Sequence, residues 1–304
     1  MTMQYERIVS VDLQGGLGNQ LFQYAAGHAV ARRTGAQLRL DLSHYARFDK
    51  RSYLLDCYAV PAPISQEPSV MRWRGLPYAV AVKACKRLGL STKALYGGWN
   101  VYIQQGQHFD PAFDNLEPPV HLHGYFQSEL YFASVAEEVR ELFTIRVPTS
   151  AAYAAARERI AASEWPVSIH VRRGDFVSDP SLREVNVPLG APYYRPAMRL
   201  AERLSAKPPT YFVVSDDIAL ARELFGDGGN FVYLSDQTDR PWEDLALMAA
   251  CRGHILANST FSWWGAWLDP HPDKLVIAPR QWFALPMLRK VSTADLFCPG
   301  WITL

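Results

Sequence analysis

The chain has 304 residues, 49% hydrophobic and 20% charged, with 31 Lys plus Arg against 30 Asp plus Glu and a formal net charge of +1. That length suits two hydrophobic cores better than one, and the composition is that of a globular protein. The near-neutral balance excludes a global field for nucleic acid or an anionic membrane, so any anion-binding surface must be local.

In chain order, Arg7 to Leu13 reads as a strand, followed by a tight loop with Gly15, Gly16 and Gly18. From Asn19 the apolar residues keep helical spacing until Thr34-Gly35, and Gln37 to Asp41 reads as a second strand. This opening is a βαβ unit, the signature of an α/β domain. Residues 45–119 alternate prolines, aromatics and short apolar runs without a clean period; helices are expected near Ser69 to Leu88, in an insertion or lid. His121 to Tyr125 reads as a strand, Ser128 to Phe143 as one amphipathic helix and Ala151 to Ala162 as an alanine-rich helix. From Val167 strands alternate with helices up to Leu275–Ala278, which predicts a second parallel-sheet domain. The expected domains are 1–155 and 156–304.

Cys57, Cys85, Cys251 and Cys298 form no C-x-x-C pair and read as reduced. Met1 to Ser10 lacks the apolar stretch of a signal peptide. The apolar runs Leu76 to Val82 and Leu245 to Cys251 are cut by Lys83 and Arg252, too short to span a bilayer. A cytoplasmic protein is expected. The basic stretch with Lys83, Lys86 and Arg87 is its candidate for peripheral contact with the inner membrane.

Four segments carry chemistry. In Val167 to Asp175, strand alternation puts His170 and Arg172 on one face and Ile169, Val171 and Arg173 on the other. The strand ends at Gly174, at the carboxyl edge where open α/β sheets bind ligands. An arginine there can grip a phosphate with two donors, and its charge does not titrate away. In Ile255 to Leu268 a short strand runs into Asn258, and a helix begins at Ser259 or Thr260. One hydroxyl is enough for a cap. Ser259, Thr260 and Ser262 together, with the unpaired N–H groups of a first turn, suit a diphosphate. Trp263, Trp264 and Trp267 read as core. Third, Asp216 and Asp217 close the strand Tyr211 to Ser215. A carboxylate there can bind ribose hydroxyls or a guanine N–H edge, or equally cap the next helix. Fourth, Gly15-Gly-Leu-Gly-Asn-Gln20 is close to a dinucleotide fingerprint, with Asp41 placed for a ribose, but Leu21 stands where the third glycine belongs. Asn19 and Gln20 either hydrogen-bond a sugar or phosphate or belong to a turn and cap. No Asp-x-Asp metal pair, Gly-x-Ser-x-Gly or P-loop occurs in the chain, which suggests a metal-free design.

Together, Gly15-Gly-Leu-Gly-Asn-Gln-Leu-Phe-Gln-Tyr24, His170-Val-Arg-Arg-Gly-Asp175, Ser215-Asp-Asp217 and Asn258-Ser-Thr-Phe-Ser-Trp-Trp264 resemble the bacterial α-1,2-fucosyltransferases of glycosyltransferase family 11. The resemblance implies a GT-B-like α/β fold, two Rossmann-like domains facing a cleft, with the donor held by the C-terminal one. It implies GDP-β-L-fucose as donor, an oligosaccharide acceptor, no metal or other cofactor, and inversion at the anomeric carbon. Arg172 would hold the diphosphate and neutralise the leaving group. Ser259, Thr260 and Ser262 would support the phosphates, His170 would line the site, and Asp216 or Asp217 would contact the nucleoside. Asn19 would face the cleft from the other domain. Gln20, Arg173, Asn258 and Phe261 complete the expected donor-binding set. Asp175 is the candidate general base, alongside a base-free dissociative route. Two other readings stay open: an NAD-linked oxidoreductase built on the Gly loop and Asp41, and a non-catalytic nucleotide-sugar-binding module.

Overall fold

The computed structural model describes residues 7–46, 51–65, 70, 93–173, 185, 187–234, 240–289 and 291–304. The helices expected near 69–88 and the basic stretch Lys83, Lys86 and Arg87 lie outside the described residues. The chain divides into two compact units, Met1–Thr144 and Ile145–Leu304. The boundary position read from sequence, near residue 155, falls inside a helix of the second unit. No helix among the described residues is long and apolar enough to cross a membrane. Cys57, Cys251 and Cys298 are free thiols.

The first unit is a four-stranded sheet in the order β2-β1-β4-β3, built from β1 (Ile8–Asp12), β2 (Gln37–Asp41), β3 (Asn100–Ile103) and β4 (Val120–His123). All its pairings are parallel. Helix α1 (Leu17–Thr34) crosses from β1 to β2, as the periodicity predicts. Gly35 ends it in the left-handed region, φ 63°, where a glycine has no Cβ to strain. Val9, Val11, Leu40, Val120 and Leu122 are fully buried, with Leu21, Phe22 and Ala25 of α1. The single helix expected over 128–143 is instead two 3-10 turns, 129–131 and 133–135, followed by α2 (Ala136–Leu142). Ser128 caps the first turn by accepting from Leu130 N, a local bond that competes with helix propagation.

The second unit is a six-stranded sheet in the order β10-β9-β8-β5-β6-β7. Its strands are β5 (Pro166–Val171), β6 (Thr210–Ser215), β7 (Phe231–Tyr233), β8 (Gly253–Ile255), β9 (Leu275–Ala278) and β10 (Ile302–Thr303). Its helices are α3 (Ala151–Ala162), α4 (Ala191–Leu204), α5 (Ile218–Phe225), α6 (Pro241–Ala249), α7 (Thr260–Leu268) and the short α8 (Leu285–Leu288). All pairings are again parallel. β5 is buried along its whole length, as a central strand covered on both faces must be. Val167, Ile169 and Val171 pack with Tyr194, Ala197 and Ala201 of α4 and Ala221 of α5. On the other face Ile160 of α3, Phe212 of β6 and Leu247 of α6 form a second cluster. From β5 the chain winds outward through β6 and β7, then returns to β8 on β5's other side and winds the opposite way. The junction of β5 and β8 is therefore the topological switch point, whose carboxyl edge is the ligand-binding crevice of such sheets.

Candidate functional site

Arg172 and Arg173 follow directly on β5, and Asn258 and Ser259 lie just past β8, so two sequence blocks meet at that switch point. Asp216, at the end of the neighbouring β6, joins them. Its Oδ2 accepts from Arg172 Nη1 at 3.0 Å and its Oδ1 from the Arg173 backbone N–H at 2.9 Å. One carboxylate thus fixes both the guanidinium and the chain that carries it. Asp217 does something else: its Oδ1 accepts from Leu220 N at 3.0 Å and caps α5. Of the two adjacent acids, the first belongs to the site and the second to the helix.

His170 lies on the face of β5 turned toward α7, its ring 5.4 Å from that of Phe261, while its backbone carbonyl accepts from Tyr194 Oη at 2.9 Å. Its Nδ1 is buried with no hydrogen-bond partner among the described residues. Burial, and then the charge of Arg172, push the imidazole down to about 3. His170 is therefore neutral near pH 7 and suits a wall of the site rather than a proton donor. Its folded value lies below the ordinary 6.5, so its contribution to stability is full above pH 6.5 and is lost as pH falls toward 3. In urea titrations between pH 6.5 and 5, His170→Gln is expected to flatten the pH dependence, by about 0.7 kcal/mol per pH unit at pH 6.5 rising to about 1.3 at pH 5. An unchanged slope would show that His170 protonates freely in the folded protein.

At the start of α7 the three hydroxyls divide. Ser259 is the N-cap, its Oγ accepting from Phe261 N at 3.3 Å. Ser262 is fully buried and donates back toward the carbonyls of Ala257 and Ser259, each at 3.1 Å. Asn258 Nδ2 donates to Val187 O at 3.0 Å and Trp282 O at 3.1 Å, while its Oδ1 is buried without a hydrogen-bond partner among the described residues. The expected row of phosphate-binding hydroxyls thus reduces to the helix start itself, with Thr260 and Phe261 half-buried on its first turn. Trp263, Trp264 and Trp267 are core, as expected. Asp175 lies outside the described residues.

A family model described as Glycosyl transferase family 11 matches residues 108–304, which contain this whole assembly. The chain belongs to glycosyltransferase family 11. Over 283 residues this family 11 chain is 31% identical to the alpha-1,2-colitosyltransferase of Escherichia coli, covering 91% of the chain and 92% of that protein. Over 197 residues it is 29% identical to the galactoside alpha-(1,2)-fucosyltransferase 1 of Saimiri sciureus, covering 61% of the chain and 52% of that protein. A crystal structure of NodZ alpha-1,6-fucosyltransferase soaked with GDP-fucose superposes with a TM-score of 0.54 at 18% identity, covering 87% of the chain and 93% of that one. That likeness is one of fold, and it agrees with the expected GT-B-like architecture.

The Gly loop of the family 11 chain is held rigidly. Gly15 has φ 78°, and a Cβ there would stand 2.5 Å from Asn19 Nδ2. Its carbonyl accepts from Tyr45 Oη at 3.0 Å and Gln20 Nε2 at 3.2 Å. Gln20 is fully buried; it also donates to Ser52 O and accepts from Leu54 N, so its amide ties the loop to 52–54. Asn19 is half-buried and accepts from Gln127 Nε2 at 3.1 Å. Asp41, the ribose-binding candidate of the oxidoreductase reading, is buried and holds Ser43 N at 2.9 Å as a turn cap. That geometry weighs against a dinucleotide on this loop.

Sequence reasoning missed a polar ladder in the first unit. Ser10 and Asp12 share one face of β1, and His121 and His123 share one face of β4. Ser10 Oγ meets His121 Nδ1 at 3.1 Å, and Asp12 Oδ2 meets His123 Nδ1 at 2.6 Å. Asp12 Oδ1 lies 3.1 Å from His121 Nε2. Burial alone would raise Asp12, but the two imidazoles outweigh it and hold the carboxyl well below the usual range. Asp12, Asp41 and His121 bring donor atoms within 4.8 Å of one another, close enough for one cation. Asp12 Oδ2 is already taken by His123 Nδ1 and Asp41 Oδ1 by Ser43 N, while His121 Nε2 lies close to Asp12 Oδ1 without a hydrogen bond among the described residues. The legible signal was Ser-x-Asp and His-x-His alternating inside two apolar strands.

Proposed function

We propose that this family 11 chain is a galactoside α-1,2-fucosyltransferase. It moves L-fucose from GDP-β-L-fucose to the 2-hydroxyl of a terminal β-galactose on a glycan, with inversion and without a metal. The observation that carries the reading is the convergence of Arg172 and the α7 start on one switch point. A diphosphate there meets a fixed guanidinium and the positive end of a helix. As the glycosidic bond breaks, negative charge grows on the leaving oxygen, and preorganised positive groups stabilise that state more than the ground state. These groups take the place of a divalent cation. In this reading Asp216 orients Arg172, His170 and Phe261 wall the site, and the second unit is the donor side. The matched galactoside fucosyltransferase supports the sugar and the linkage.

The test is incubation with GDP-fucose and a panel of β-galactosides in EDTA, with product linkage read by NMR. An α-1,2-fucosylated product is expected. No transfer would overturn the reading, and transfer only with added metal would remove its metal-free part. The long match to a colitosyltransferase favours one rival donor. Colitose is fucose without its 3-hydroxyl, and a site built to bond a hydroxyl rejects the analogue lacking it by roughly 10⁴-fold or more. Competition between GDP-fucose and GDP-colitose tests which donor the site takes: a strong preference for GDP-fucose is expected of a site that bonds the 3-hydroxyl, and the reverse preference would reassign the donor.

A further inference from the structure

Three strands of the first unit bring polar side chains to one face. Asp12 of β1 is the register partner of Asp41 of β2, and Ser10 of β1 is that of His121 of β4. Alternation along β1 puts Ser10 and Asp12 on the same side, so two carboxylates and an imidazole meet near the carboxyl edge of this sheet. Asp12, Asp41 and His121 each bring a donor atom within 4.8 Å of the others. We infer that these three residues hold one divalent first-row metal ion of the zinc type. The ion belongs to the first unit alone and takes no part in the transfer reading above.

His121 is the residue that points to a ligand. It is fully buried, its Nδ1 lies 3.1 Å from Ser10 Oγ, and its Nε2 has no hydrogen-bond partner among the described residues. Nε2 stands 3.1 Å from Asp12 Oδ1, yet the two are not aligned as a hydrogen bond. With the Nδ1 hydrogen given to Ser10, Nε2 turns a lone pair toward a carboxylate oxygen, and the two repel unless a cation lies between them. The carboxylates are held in the same manner. Asp12 Oδ2 meets His123 Nδ1 at 2.6 Å, and Asp41 Oδ1 accepts from Ser43 N at 2.9 Å. Each of the three residues thus uses one atom on an outer partner and keeps a second without a hydrogen bond among the described residues. Outer hydrogen bonds of this kind orient the ligands of metal sites.

Charge and distance fit the same ion. Two carboxylates directly opposite on paired strands repel, and a divalent cation cancels both charges. Two ligands of a tetrahedral zinc, each at about 2.0–2.1 Å, stand roughly 3.3 Å apart. The 3.1 Å between Asp12 Oδ1 and His121 Nε2 is close to that edge. An imidazole nitrogen among the donors favours zinc over magnesium or calcium, which take oxygen ligands. Three protein ligands leave a fourth position for water, and the Asp12 side chain is 15% exposed, so an ion has a way in.

Full-length, tag-free protein is stripped with chelator, dialysed and titrated with Zn²⁺ by calorimetry at pH 7.5, with no donor or acceptor present. One ion per chain is expected, with far weaker uptake of Mg²⁺. At a hundred times its Kd, Zn²⁺ should raise the melting temperature by roughly 5–15 °C. Co²⁺ in its place should show visible d–d bands without a thiolate charge-transfer band, since the free thiols, Cys57 among them, are the rival ligands. Asp41→Asn, whose amide oxygen can still accept from Ser43 N, should abolish both the uptake and the thermal shift. His121→Gln should do the same, and it covers an asparagine variant that does not fold. Ser10→Ala removes only an outer partner and should weaken Zn²⁺ binding by about 10–100-fold. Wild-type protein that takes up no Zn²⁺ would mean that the residues pair among themselves, and it would overturn the inference. Folded Asp41→Asn and His121→Gln variants that bind as wild type would do so too, as would a thiolate band or Mg²⁺ bound as tightly as Zn²⁺. Fucose transfer is not read in any of these measurements, so their failure leaves that reading standing.

Discussion

Arg172→Ala is expected to lower kcat by at least about 10²–10³-fold while the protein stays folded, the loss seen when one preorganised donor to a developing negative charge is removed. The guanidinium sits at the end of the central strand β5, held at 3.0 Å by Asp216. That pair is part-exposed, so its loss should cost little stability. Arg172→Lys keeps the charge but loses the planar fork, and it should recover only part of the rate. Asp216→Asn should leave the arginine in place but poorly aimed, lowering kcat less than the alanine variant does. The measurements are kcat and KM for GDP-fucose, GDP affinity by calorimetry and near-ultraviolet circular dichroism. An alanine variant with wild-type turnover would remove Arg172 from the role assigned to it.

Asp269→Ala is expected to destabilise the protein by about 3–5 kcal/mol, the cost of breaking a buried polar pair from one side. Asp269 follows α7 and is buried, as are Ser168 on β5 and His254 on β8. Ser168 Oγ meets His254 Nδ1 at 2.9 Å, and His254 Nε2 meets Asp269 Oδ2 at 2.9 Å. The other oxygen of Asp269 takes the His271 N–H at 2.9 Å and lies 2.6 Å from His271 Nδ1. The sequence Ser–His–Asp has the look of a hydrolytic triad, but no substrate reaches a fully buried hydroxyl. Its work is to tie the two strands of the switch point to the end of α7. Burial would raise Asp269, yet the bonds from His254 and His271 hold it low; burial also pushes His254 down, against a partial offset from Asp269. Both contributions are present near neutral pH and fade as pH falls. The variant should melt roughly 6–20 °C below wild type at pH 7.5, with the gap narrowing toward acid. A shift under about 2 °C would mean the network carries no structural weight.

The repeating strand–helix alternation was legible because apolar periodicity switches cleanly, as at Val167 to Val171 and Ala151 to Ala162. The stretch 128–143 was not, since its apolar spacing suits one helix while Ser128 bonds locally and starts a 3-10 turn. β3 is four residues long, and its Asn-Val-Tyr-Ile offers too short a run for a period to emerge. Arg172 was legible as a residue of the sheet's carboxyl edge because the apolar run stops just before it, where β5 ends. Asp216 and Asp217 could not be told apart, because the backbone turn between β6 and α5 alone decides which one caps. Ser262 looked like a ligand contact, yet its hydroxyl turns inward to backbone carbonyls; Asn258 gives its Nδ2 to backbone carbonyls and leaves its Oδ1 without a partner among the described residues. Asp12 and His123 escaped notice because 111 residues separate them and only the β1–β4 pairing joins them.

The switch point has a consequence for folding. Its two halves meet only when β5 pairs with β8, a closure between Ser168 and His254, 86 positions apart in the chain. β5, β6 and β7 can assemble early from nearer contacts, while pairing over so long a loop comes late. In the proposed reading the diphosphate needs both Arg172 and the α7 start, so a second unit without the β5–β8 pairing would hold no nucleotide. Under that reading donor affinity belongs to the completed unit, so binding and folding are thermodynamically linked. Ligand at a hundred times its Kd would stabilise that unit by about 2.7 kcal/mol, which makes nucleotide supply a chaperone of sorts for the enzyme that consumes it.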